Sequence, residues 1–92
     1  MARTIFKYPA PMPGVTYPGP VLMPRGAQIV HVAMQGHQIM LWALVDKDAP
    51  LEDRHFVTVG TGWPLDVVGG NLKHVGTVLH GELVWHVVEV LV

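Results

Sequence analysis

Apolar and polar side chains alternate along most of this chain with a period of two, not the 3.6 of a helix. The clearest case is residues 27–35 and 38–46, joined by Gly36-His37. A two-residue connection with glycine first suits a hairpin turn. Pairing across it puts Val30, Val32, Met34, Ile39, Leu41, Ala43 and Val45 on one wholly apolar face, the predicted core. The opposite face carries Ile29, His31, Ala33, Gln35, Gln38, Met40, Trp42 and Leu44, with Trp42 beside His31. A mixed face with a large aromatic suits a subunit interface or a ligand floor. Residues 73–80 and 83–91 predict a second hairpin across Gly81-Glu82. Here Val75, Thr77, Leu79, Val84, His86, Val88 and Val90 share one face. His74, Val78, His80, Trp85, Val87 and Glu89 share the other, with His74 opposite Glu89. The valines of 84–92 favour strand over helix. This apolar terminal strand would be an aggregation hazard as an open edge, so it is expected to be paired centrally or at a subunit interface.

Two shorter strands complete the pattern. Residues 3–8 alternate weakly. Residues 54–60 set Phe56 and Thr58 against His55, Val57 and Val59. Between them, 8–26 hold Pro9, Pro11, Pro13, Pro18, Pro20 and Pro24. Proline fixes φ and lacks a donor, so this stretch is neither helix nor central strand. It predicts an extended arm with turns, packed through Met12, Val15, Tyr17, Val21, Leu22 and Met23. Residues 46–53 form a charged loop, and 60–64 and 69–71 are breaks. No segment has the apolar spacing and caps of a long helix, though 67–72 allows a single turn. The expectation is one all-β domain over 1–92, mostly antiparallel. It has about six strands in a small curled sheet or barrel, plus the proline-rich N-terminal arm.

Composition changes this picture in one respect. Half of the 92 residues are hydrophobic and 14% are charged, against roughly 25% charged in an average domain. A short chain has proportionally more surface and needs more charge, not less. The simplest resolution is a homo-oligomer whose copies cover each other's apolar surface. Tyr17, His31, Trp42 and Trp85 are the expected interface residues. A net charge of −1 without a basic face argues against a nucleic-acid binder that works through phosphate contacts. No stretch is long and apolar enough for a spanning helix, and no signal peptide is visible. The expected location is the host bacterial cytoplasm. Absence of cysteine and serine excludes disulfides, thiolate metal sites and cysteine or serine nucleophiles.

Six histidines (31, 37, 55, 74, 80 and 86) are the main chemical temptation. No compact ligand motif joins them, so no metal site and no cofactor are expected. Hydrogen-bonded strand histidines account for them, some at an interface that protonation near pH 6 would loosen. The carboxylates of 46–53 read as a solvated cluster, and Asp66 and Glu89 stand alone. Gly60-Thr61-Gly62 most simply ends a strand, since it lacks the lysine and helix of a phosphate loop. Its functional version adds Trp63 as a stacking platform and Arg54 and Lys73 as phosphate partners. Arg54, Gly60, Thr61, Gly62, Trp63 and Lys73 are therefore the candidate ligand-binding set.

Read in order, the chain carries Phe6-Lys7-Tyr8-Pro9, Met23-Pro24-x-Gly26-Ala27-x-Ile29 and Leu41-Trp42-Ala43-Leu44-Val45-Asp46. Gly60-Thr61-Gly62-x-Pro64, His74-Val75-Gly76-Thr77 and Val84-Trp85-His86-Val87 follow. In this it resembles a family of small proteins of unassigned activity found in bacteriophage and prophage genomes. The stretch between Pro9 and Pro24 is longer than in that family, and 88–92 extend its usual ending. The resemblance implies a phage setting and supplies no activity. Two functions fit that setting. One is a non-enzymatic accessory protein that sequesters a host nucleotide signalling molecule at subunit junctions. The other is a protein-interaction module that inhibits a host enzyme or defence protein, using the arm and Trp42.

Overall fold

The computed structural model describes residues 2–66 and 68–91, without the side chains of 15–18. Seven strands follow in chain order: β1 (Arg3–Pro9), β2 (Gly14–Pro24), β3 (Gln28–Gln35), β4 (Gln38–Asp46), β5 (Leu51–Gly60), β6 (Asn71–His80) and β7 (Leu83–Leu91). They form a three-stranded sheet, β1-β4-β3, and a four-stranded sheet, β2-β5-β7-β6. Every strand pairing is antiparallel. The all-β expectation holds. The strand count rises from about six to seven, and the sheets stack without closing into a barrel.

The seventh strand comes from the proline-rich arm. Residues 14–24 pair with β5 on one side only, at the sheet edge. An edge strand needs donors on just one side, so proline is tolerated there. Val21 and Met23 point inward and are buried. Tyr17 lies in this strand, and its side chain falls outside the described part. The charged loop also shrinks, because β5 begins at Leu51.

Alternation places the core between the sheets. Ile39, Leu41, Ala43 and Val45 of β4 meet Phe56 of β5, Val87 of β7 and Val78 of β6. β7 sits between β5 and β6, so the apolar terminal strand is paired on both sides, as its composition demanded. The outer face of the four-stranded sheet has its own small cluster. Val57, Val59, Val88 and Val90 lie under Val68 and Leu65 of the loop after β5.

Both predicted hairpins turn where expected, with Gln35 opposite Gln38 and His80 opposite Leu83. Both then slip by one residue. In β3 the register shifts between Ile29 and His31. Ile29 faces the core opposite Ala43 and Val30 is exposed, reversing the predicted pair. In β6 the shift falls between His74 and Gly76. His74 is therefore opposite Val88 on the outer face, and Lys73, not His74, stands opposite Glu89. An extra residue in one strand inverts the phase of everything beyond it. The two slipped strands face each other across the sandwich. A Cβ on Gly76 would lie 2.7 Å from Cβ of Val32, so the sheets touch here because Gly76 has no side chain.

Candidate functional site

The slip in β6 builds a site on the outer face of the four-stranded sheet. In an unbroken strand His74 and Thr77 would point to opposite faces. The extra residue at Val75 turns both outward, beside His86 of β7, which is the cross-strand partner of Thr77. Gly62, at φ +87°, bends the loop after β5 in a conformation that favours glycine. Thr61 reaches the same face, and Trp63 lines the groove beside it. The result is a row of hydrogen bonds: His74 Nε2 to Thr77 Oγ1 at 2.8 Å, Thr77 Oγ1 to His86 Nδ1 at 2.9 Å, and His86 Nε2 to Thr61 Oγ1 at 2.8 Å.

This row borders a groove of about 340 Å3, walled by Trp63, Leu65, Leu72, Val88 and the Gly60–Gly62 loop. Trp63 packs over Gly60 and against Trp85. Its indole lies 2.8 Å from where a Cβ on Gly60 would sit, and its ring meets that of Trp85 edge-on at 5.6 Å. Each threonine hydroxyl has one proton, and a neutral imidazole has one donor and one acceptor. Two arrangements satisfy the row, running in opposite directions. In one, Thr61 donates to His86, Nδ1–H of His86 donates to Thr77, and Thr77 donates to His74. The Nδ1–H of His74 is then the terminal donor and Thr61 Oγ1 the terminal acceptor. In the other, every role reverses. Either way the row offers one donor and one acceptor at its ends, and it adapts to what binds.

The sequence-predicted ligand set divides in two. Gly60, Thr61, Gly62 and Trp63 come together at this groove. Arg54 and Lys73 do not join them. Arg54 lies toward the other end of β5, about 20 Å along a strand rising ~3.3 Å per residue. Each of its three guanidinium nitrogens is engaged. Nε and Nη2 bond both carboxylate oxygens of Glu89 at 2.7 and 2.9 Å, and Nη1 bonds the Ala27 carbonyl. The Glu89 hydrogen bonds raise the Arg54 pKa above its ordinary value, while burial opposes them. Lys73 shares this second groove, of about 450 Å3, with Glu52, Asp53 and Glu89. Its carboxylates outnumber its cations, so it disfavours phosphate. Expecting Arg54 and Lys73 to meet a phosphate beside Trp63 therefore finds no support in the geometry.

The predicted interface residues separate as well. Trp42 and His31 are neighbours on the outer face of the three-stranded sheet, ring centroids 5.5 Å apart. Trp85 points inward and packs against the core. His74, Thr77 and His86 are site residues that sequence reading did not assemble, and so is the buried Glu89–Arg54 pair. The pair had a signal. Glu89 sits at an inward phase of the valine-rich β7, and such a charge has to find a partner.

Fold and site together define a small two-sheet antiparallel β domain with a lateral groove, walled by an aromatic and lined with hydroxyl and imidazole groups. The chain belongs to the family known as domain of unknown function DUF7352, whose model matches residues 1–91. No curated protein and no solved structure matches it. Among the described residues no helix is long and apolar enough to cross a membrane. None of their histidine, aspartate and glutamate side chains gather in threes suited to a metal ion.

Proposed function

We propose that the protein is a non-enzymatic accessory protein that binds a small planar ligand in the Trp63 groove. In the phage setting that the sequence resemblance implies, the ligand is the base of a host nucleotide signalling molecule. The observation that carries this reading is the hydrogen-bonded row His74–Thr77–His86–Thr61 beside the Trp63 indole. An aromatic wall stacks a ring of any base. A reversible donor–acceptor row matches the donor–acceptor edge of a heterocycle. Catalysis is less well served, because Nδ1 of His86 meets a hydroxyl and not the carboxylate that would steady an imidazolium.

The groove is at the lower end of the ~300–1,000 Å3 range of ligand sites, which suits one nucleoside and not a whole dinucleotide. No lysine or arginine lines it, so the phosphates would lie outside. A second copy meeting this face would supply their contacts, in keeping with the homo-oligomer reading.

The test is thermal unfolding against nucleobases, nucleosides and cyclic di- and trinucleotides. Specific binding at about 100 times Kd adds about 2.7 kcal/mol of stability. Trp63→Ala and His86→Gln should each abolish the shift while the protein stays folded. No stabilisation by any member at millimolar concentration would remove this reading. A shift that survives both substitutions would move the ligand elsewhere. The competing reading, a module that inhibits a host protein, draws on the exposed Met12, Leu79 and Leu83. It predicts a stoichiometric protein partner and no nucleotide shift.

A further inference from the structure

A second, independent site lies at the opposite end of the β3–β4 hairpin from its slip. The turn of that hairpin carries His37, and the end of β6 carries His80. One belongs to each sheet. Their ring centroids are 5.8 Å apart, with the ring planes tilted by 57°. Neither ring makes a hydrogen bond among the described residues, unlike His74 and His86. Met12 and Met34 line the same cavity of about 170 Å3, with Trp85 on its wall. Met12 is 84% exposed, the most exposed of the large apolar side chains described. No aspartate or glutamate lines the cavity.

We propose that His37 and His80, with the thioethers of Met34 and Met12, bind one soft monovalent metal ion, Cu(I) in type. The spacing fits. With metal–nitrogen bonds of about 2.0 Å, two imidazoles sharing an ion have centroids at most ~6.3 Å apart. The observed 5.8 Å lies within that limit. Ligand chemistry selects the ion. Thioether sulfur and imidazole suit Cu(I), whereas hard divalent ions want the carboxylates this cavity lacks. Met12 and Met34 are flexible enough to close on an ion without moving the sheets. Because the two imidazoles come from different sheets, occupancy would also tie the two layers together.

Anaerobic titration with Cu(I) against a chromophoric Cu(I) chelator tests this, with Ag(I) as a redox-silent probe followed by imidazole NMR shifts. One equivalent should bind, moving the resonances of His37 and His80 and leaving those of His55 in place. His80→Gln and His37→Gln should each weaken binding at least tenfold, since even indirect support of a metal ligand is worth about 10–100-fold. Met34→Leu should weaken Cu(I) while leaving any Zn(II) affinity unchanged, and His55→Gln should change neither. Absence of stoichiometric binding would overturn the proposal. So would Cu(I) affinity unaltered in His80→Gln, or Zn(II) binding as tight as Cu(I) with the same residue dependence. His37 and His80 are exposed and Met34 and His55 half-buried, so the folded state should survive substitution, and circular dichroism of each variant checks that.

Discussion

At the scale of single residues, the strongest commitment in this molecule is Glu89 to Arg54. Their side chains are 7% and 17% exposed, so the pair is largely out of water. Breaking such a pair strands a charge and typically costs about 3–5 kcal/mol, whereas replacing both members with apolar groups is often neutral. Glu89→Ala is therefore expected to destabilise the fold by about 3 kcal/mol, and Arg54→Met with Glu89→Leu to recover most of it. Urea unfolding of the three variants checks this. The raised Arg54 pKa keeps the guanidinium charged below the unfolded arginine's own pKa, and the stability this side of the pair contributes is lost only as pH rises into strong alkali. Tyr8 behaves similarly for a different reason. Burial raises its phenol pKa by disfavouring the phenolate. The folded state keeps Tyr8 neutral where an unfolded chain would ionise it, so stability falls as pH climbs from 10 toward the raised value. In a Tyr17→Phe protein, phenolate absorbance should appear above pH 10 and coincide with loss of stability. Phenolate forming at or below pH 10 in the folded protein would contradict this.

At the scale of elements, the extra residues in β3 and β6 decide what the surfaces carry. Each keeps the turn end of its hairpin in the predicted phase and inverts the far end. The inversion in β6 places His74 outward with Thr77 and His86, and Lys73 inward opposite Glu89. Gly76 next to it lets β3 approach. Gly76→Ala puts a methyl 2.7 Å from two side-chain carbons of Val32, which has little room to move. Overpacking of this kind costs about 1–3 kcal/mol. Combining it with Val32→Ala should cost less than the sum of the single changes, a coupling that a double-mutant cycle measures. Gly60→Ala makes a contrasting case. Its Cβ would meet the indole of Trp63, a side chain that can swing away. Little stability should be lost, and ligand-induced stabilisation should fall with the displaced wall.

At the scale of the whole molecule, the shape is thin. Its Cα extents are 41 × 30 × 15 Å. The accessible surface is 5753 Å2, against about 5,300 Å2 expected for a monomer of this mass. Among the described residues, Phe56 is the only aromatic of the largest fully buried side chains. Several large apolar side chains remain in water: Ile5 on β1, and Leu79 and Leu83 at the β6–β7 turn. The apolar excess that composition showed is thus displayed on the surface as well as packed inside. The expected outcome in light scattering at micromolar concentration is a mass of at least two chains. Leu79→Glu with Leu83→Glu lowers it if the β6–β7 turn is the contact. A 10 kDa particle for the unaltered chain would refute the oligomer and the shared-site reading with it.

Local chemistry was enough to determine the all-β class, both hairpin turns and the gathering of Gly60, Thr61, Gly62 and Trp63. Each depends on neighbours in sequence: side-chain alternation, a glycine in a turn, valines crowding a helix out. What only the tertiary structure decided are the slips at Val30 and Val75, and everything downstream of them. The row of His74, Thr77 and His86, the pairing of Arg54 with Glu89 and the meeting of His37 with His80 all join strands far apart in the chain. A one-residue slip inverts a face at little local cost. The alternation within either strand does not mark where it falls, and the close approach of Gly76 to Val32 across the sandwich exists only once both strands are in place.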